Sequence, residues 1–234
     1  MKKTFFALSL IIAIAIALPA FGQKKERERV ENAGKVMKEI LDIPDDIPQD
    51  VIDKADCVVV LPSVLKFAFG VGGSYGRGVM TCRNGKDYRG AWGVPTMIAL
   101  EGGSLGFQLG GQATDFVLLL MTQRSADNIL TSKVKLGGDA SAAAGPVGRN
   151  ASAETDITLR AEILSYSRAR GLFAGISLAG STLRPDNGAN ENLYGKKVTA
   201  KDIIFNHAVP VPASAHLLLD TLNKKSPKNT SKNG

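Results

Sequence analysis

Two short segments carry the spacing of a hydrolase nucleophile turn, G-x-S-x-G. They are Gly72-Gly73-Ser74-Tyr75-Gly76 and Gly102-Gly103-Ser104-Leu105-Gly106. That chemistry needs a sharp strand-to-helix turn to lift the serine out, and a histidine base beside it. Strand-like sequence continues on both sides of each copy, and only His207 and His216 exist to serve as base. A catalytic turn is unique in an enzyme, so two copies read as a repeated strand unit. The run from Gly70 to Gly76 also fails as a nucleotide cradle: Tyr75 stands where the third glycine of G-x-G-x-x-G belongs, and no helix start follows. The stretch from Gly138 to Gly148, with its Ala142-Ala143-Ala144 run, reads as a close-packed loop, and the lone Trp92 as a core residue. No enzyme activity is expected.

Binding chemistry is more promising. Arg168 and Arg170 sit among hydroxyls in Ser165-Tyr166-Ser167-Arg168-Ala169-Arg170-Gly171. Paired guanidiniums of this kind can hold a phosphate through two-pronged hydrogen bonds, or can be tied up in structural ion pairs. Cys57 and Cys82 are the two cysteines, and two distant histidines add no zinc-type spacing, so neither metal nor cofactor is expected. Each cysteine lies in a strand-like run with a glycine-rich turn between them. An antiparallel pairing can set them opposite each other, and whether the sulfurs meet depends on cross-strand geometry.

The elements that must position these groups follow from periodicity. Lys2 and Lys3 precede an apolar run from Phe5 to Leu18, followed by Pro19-Ala20-Phe21-Gly22. This is the pattern of a secretory signal peptide over residues 1–22, cleaved after Gly22. The expected location is therefore periplasmic or secreted. No cysteine lies near that break, so a lipoprotein anchor is not expected. Glu26 to Leu41 reads as an amphipathic helix with Val30, Ala33, Val36, Met37, Ile40 and Leu41 on one face. Pro44 and Pro48 end it, and a short second helix follows over 50–55. Val58 to Leu61 is a strand closed by Pro62. Most of the 25 glycines then fall between Gly70 and Gly195, where apolar residues often alternate. Phe116–Met121, Ile157–Tyr166 and Leu172–Leu178 read as strands, and Ser125 caps a short helix to Leu130. Helices are expected again over 202–206 and 213–222. The sum is one α+β domain: an N-terminal helical segment (23–56), a glycine-rich antiparallel sheet or open barrel (57–222), and a basic flexible tail (223–234).

The formal charge of +7 belongs mostly to the ends of the chain. Lys24 and Lys25 lie just after the leader, and Lys224, Lys225, Lys228 and Lys232 lie in the tail. Without these and the leader lysines the remainder is near neutral. That excludes a nucleic-acid groove, which needs cations clustered on the folded surface. Basic ends on an exported chain suit anionic membrane surfaces.

Taken in order, several segments resemble the SYLF domain family of lipid-binding proteins: Ala55–Pro62, Gly70–Val79, Trp92–Pro95, Gly102–Gly110, Ala144–Arg149, Ser165–Gly175 and Tyr194-Gly195. The resemblance implies a non-enzymatic membrane-lipid binder working through its amphipathic N-terminal helix, with phosphoinositides the ligands of eukaryotic members. Some eukaryotic members also bind actin, an improbable partner for an exported chain, whose natural ligands would be other anionic lipids. The expected mechanism is attraction by Lys24, Lys25, Arg27 and Arg29, then insertion of Val30, Met37, Ile40 and Leu41. Two alternatives stand beside it: a structural or protein-interaction module whose helix stays packed on the sheet, and a carrier of a small apolar ligand.

Overall fold

In the computed structural model, which describes residues 2–43, 47–69, 71–85, 87–105, 112–148, 160–169 and 172–231, the first helix is longer than the amphipathic stretch alone. Helix α1 spans Lys2–Leu41, and a single turn, α2 (Gln49–Ile52), follows. Four long strands come next: β1 (Cys57–Phe69), β2 (Val71–Cys82), β3 (Thr96–Leu105) and β4 (Gln112–Leu120). Helix α3 (Gln123–Thr131) leads to β5 (Val134–Lys135), β6 (Ala142–Ala144), β7 (Ile163–Ala169), β8 (Leu172–Gly175) and β9 (Ser181–Pro185). Helices α4 (Asn187–Tyr194), α5 (Ala200–Asn206) and, after a 3-10 turn at Ala213–Ala215, α6 (His216–Lys225) complete it.

The strands form one curled sheet in the order β5-β9-β3-β2-β1-β4-β7-β6, with β8 also on β7. Every pairing is antiparallel except β6 with β7, so the sheet is mixed, and the molecule is one α+β half-barrel domain. Successive strand residues point to opposite faces, and both faces are covered. On one face Val58, Val60, Val79, Val117 and Leu119 pack against Val30, Ala33, Met37 and Ile40 of α1, Leu193 of α4, and Leu218 and Leu222 of α6. On the other, Val59, Leu61, Met80, Leu100, Phe116 and Leu118 meet Ala126, Ile129 and Leu130 of α3.

Pro62 does not close β1. The strand runs on to Phe69 through a bulge, where the registers to both β2 and β4 shift. A proline lacks the ladder N–H, so within a central strand it is tolerated only at such a bulge. Ser63 takes φ 52°, and its N–H donates to Asp115 Oδ1 at 2.8 Å. Across the bulge, a Cβ on Gly78 would lie 1.9 Å from the Val60 carbonyl oxygen, so only glycine lets the strands approach. Helix α3 begins one turn earlier than the sequence signal: Thr122, not Ser125, is the cap and accepts from Ser125 N–H.

The chain after α6 is not a loose tail over its described part. Ser226 is fully buried. Arg83, 1% exposed, donates to the Ser226 carbonyl at 3.0 Å, to Ser226 Oγ at 2.6 Å and to the Ala55 carbonyl at 3.1 Å. Its guanidinium also lies 4.2 Å from the Trp92 ring centroid, while Trp92 Nε1 donates to the same Ser226 carbonyl. Further on, Asn229 donates to Asp56 and to the Tyr88 carbonyl, and Thr230 N–H to the Asp53 carbonyl. Polar composition suggested freedom here, but side-chain donors and acceptors from α2, β1 and β2 hold the segment as a strap.

Candidate functional site

The serine motifs are structural. Ser74 lies within β2 and Ser104 within β3, away from any strand-to-helix turn. The two copies pair with one another, Gly72 with Ser104 and Ser74 with Gly102. A Cβ on Gly102 would sit 2.5 Å from Ser74 Oγ and 2.7 Å from Ser181 Oγ, which accounts for glycine at this crossing. His207 caps the end of α5 and His216 starts α6. Among the described residues, no group of His, Cys, Asp or Glu could hold a metal ion.

Val30, Met37 and Ile40 are fully buried and Leu41 is 4% exposed, all against the sheet. The expectation that these four insert into a membrane is therefore corrected: that face is core. Each large apolar side chain buried this way is worth roughly 1.5–3 kcal/mol. Moving the helix into lipid would return that burial but would strip Val58, Val60, Val117 and Leu119 beneath it. The loss rivals a typical domain's whole stability of about 5–15 kcal/mol.

The cations of α1 divide. Lys24, Lys25 and Arg27 are exposed, with Lys24 loosely paired to Glu28 at 3.9 Å. Arg29 is instead half-buried and ion-paired to Glu26, itself only 2% exposed. Glu26 also faces Arg77 at 3.8 Å, and Arg77 Nε lies 2.8 Å from Asp186 Oδ2. That last pair is close but not aligned: neither atom makes a directed hydrogen bond. Burial, and then the neighbouring Arg77, hold the Arg29 guanidinium below its ordinary pKa. Arg184 closes this side through Glu101 at 2.7 Å. The network joins α1, β2, β3, β9 and the N-cap of α4. Glu26, Arg77 and Asp186 went unrecognised in the sequence as a unit; an arginine between two glycines in a strand-like run was the available signal.

Arg168 is likewise occupied. It donates to Asp115 Oδ2 from Nε at 3.1 Å and from Nη2 at 2.7 Å, and it also pairs with Glu39 of α1. Since Asp115 accepts from Ser63, one chain of contacts runs from α1 through Arg168 to the β1 bulge. The paired structural role, not a ready phosphate clamp, is what the fold gives this residue. Arg170 lies outside the described residues. Cys57 and Cys82 stand directly opposite in β1 and β2 and are disulfide-bonded.

A hollow of about 380 Å³ is lined by Arg83, Gly85, Tyr88, Ile204, Phe205 and His207. It opens beside the strap, where burial pushes the Asp56 carboxyl up to about 6 despite the Asn229 hydrogen bond, and lowers Arg83 to about 10. Its mixed lining is not the apolar interior that a carrier would need. Among the described residues, no helix is long and apolar enough to cross a membrane.

Comparison with known proteins adds a consistent pattern. The profile of the Ysc84 family, described as "Las17-binding protein actin regulator", matches residues 101–225. The chain is similar to the SH3 domain-containing YSC84-like protein 1 of Rattus norvegicus, 35% identical over 211 residues, covering 86% of this chain and 60% of the relative. An SH3 domain-containing protein of Schizosaccharomyces pombe is 34% identical over 208 residues, covering 85% and 47%. LAS seventeen-binding protein 3 of Saccharomyces cerevisiae is 37% identical over 170 residues, covering 71% and 36%. The chain thus spans about half the length of the curated relatives it matches. Their names describe binding rather than catalysis.

Proposed function

The chain belongs to the Ysc84 (SYLF) family, and from that premise we propose a non-enzymatic binding module that docks reversibly on anionic phospholipid surfaces outside the cytoplasm. The observation that carries this reading is the exposed group Lys24, Lys25 and Arg27 on the outer side of a helix whose apolar face is already used in the core. These cations are free to meet headgroups without unfolding anything. Each is worth about 1 kcal/mol near an anionic leaflet. Glu28 offsets part of that, so attachment is weak, electrostatic and quickly reversible. The proposed export rests on the leader pattern over 1–22.

A second reading is favoured by the buried α1 face and by the name of the yeast relative, LAS seventeen-binding protein 3: a protein-interaction module whose helix never leaves the sheet. One experiment separates the two. The exported protein, whose mass is expected to place its first residue near Gln23, is sedimented with phosphatidylcholine vesicles, with and without phosphatidylglycerol, over a salt series. The lipid reading expects binding only with phosphatidylglycerol, falling as salt shortens the Debye length to about 8 Å near 0.15 M. Replacing Lys24, Lys25 and Arg27 by glutamine should weaken it about tenfold or more. No binding to either vesicle leaves the protein-interaction reading.

A further inference from the structure

The four central strands differ sharply along their length. Beyond the row of ion pairs, the described parts of β1 (64–69), β2 (71–76), β3 (102–105) and β4 (112–114) contain a single charged residue, Lys66 of β1. Register places these stretches side by side, Phe69 with Val71 and Val71 with Leu105. Leu65 sits opposite both Tyr75 of β2 and Ala113 of β4. Tyr75 shares its face with Arg77, two residues on, and Arg77 reaches Glu26 of α1, so Leu65 and Tyr75 lie on the α1 face. Yet α1 does not cover them: Leu65 is 57% exposed and Tyr75 41%. Leu172 of β8, at the same end of the sheet beside Ala169, is 77% exposed. Leu172 and Leu65 are the two most exposed large apolar residues among those described.

What borders this end says what it meets. Arg29, Arg77, Arg184 and Arg168 form a row immediately inside it, with Lys25 one helical turn before Arg29 on the same flank of α1. Arg29, Arg184 and Arg168 each give part of their five N–H donors to a carboxylate and Arg77 is ion-paired, while Arg77, Arg184 and Arg168 stay 32, 27 and 20% exposed. An end with one lysine, rimmed by partly exposed guanidiniums, matches the boundary between lipid chains and phosphates, where lysines and arginines keep their heads at the interface.

We propose that this charge-poor end of the sheet, with Leu65, Tyr75 and Leu172 at its surface, is the part of this protein that enters an anionic bilayer, its arginine row lying at the headgroup phosphates. This rests on the lipid reading above and replaces the α1 face as the apolar anchor. The test compares exported wild type with the Leu65→Ser, Leu172→Ser double variant and with Val211→Ser, an exposed apolar site elsewhere. The vesicles are phosphatidylcholine with phosphatidylglycerol. The double variant should partition about tenfold or more weakly at unchanged melting temperature, and Val211→Ser should bind as wild type. A Leu65→Trp variant should shift its emission to the blue on these vesicles and be quenched by bromine-labelled lipid chains. Wild-type binding by the double variant, without a shift for Leu65→Trp, overturns the site and leaves lipid binding standing. No binding by wild type itself overturns both. A double variant that changes only the oligomeric state, with vesicle binding intact, assigns the end to a second copy and overturns the proposal.

Discussion

Strands β1 and β2 are held in opposite ways at their two ends. At Cys57 and Cys82 a disulfide joins them, Asp56 and Arg83 flank it, and the Ser226 strap closes over the pair. At Leu65 and Tyr75, across the bulge, no covalent link joins them and large apolar side chains face outward. The same two strands thus serve stability at one end and presentation at the other. The bulge at Pro62 lets them do both, since it lets the register change between the two halves.

The comparison breaks most visibly if the covered half is not the core. Met37→Ser with Ile40→Ser should cost upwards of about 4 kcal/mol, from lost burial and a cavity, read as a collapse in melting temperature. A small change instead would mean α1 leaves the sheet easily, and the inserting helix would return.

Next in size is the disulfide. Cys57→Ala with Cys82→Ala should cost about 2–4 kcal/mol, the usual effect of opening a loop of this kind, here with 25 residues' separation. Vesicle binding by the folded fraction should not change. Because both cysteines are buried, alkylation of the native protein should fail until it is both unfolded and reduced.

The smallest effect sharpens the clamped end electrostatically. Asp56 titrates at about 6, above the ordinary carboxylate value, so the fold binds its proton more tightly than the unfolded chain does. Its contribution to stability is complete below about pH 4, declines as pH rises through about 6, and is flat above that. Asp56→Asn should therefore raise stability by about 1–2 kcal/mol at pH 8 and by almost nothing at pH 4. Equal gains at both pH values would show that packing, not charge, is responsible.

What was legible in the sequence was whatever a local period records. The apolar face of 26–41, the β-branched run at Val58–Leu61 and the glycine-rich α+β pattern all appear in the fold. What that face touches is not local: Met37 reads the same whether it meets Val117 or lipid. Pro62 reads as a stop because its bulge depends on β2 and β4, one and three strands later in sequence. Ser125 reads as the helix cap because it precedes the apolar residues, while the hydroxyl that receives the N–H belongs to Thr122. The strap reads as free because its polar residues are satisfied by Arg83, Asp53 and Asp56, more than a hundred residues earlier. Arg168 posed the same difficulty, since nothing near it in sequence announces Asp115 or Glu39.

The strap also sets a timetable. Arg83, buried at the centre of the clamped end, finds two of its three acceptors in Ser226, and Lys225 reaches back to the Leu41 carbonyl. Until the ribosome has made and released that stretch, an early-synthesised arginine lacks its Ser226 acceptors and α1 lacks the α6 surface it packs on. Such long-range closure delays the native state. A nascent chain of this design stays threadable through a narrow pore for as long as it is still being made.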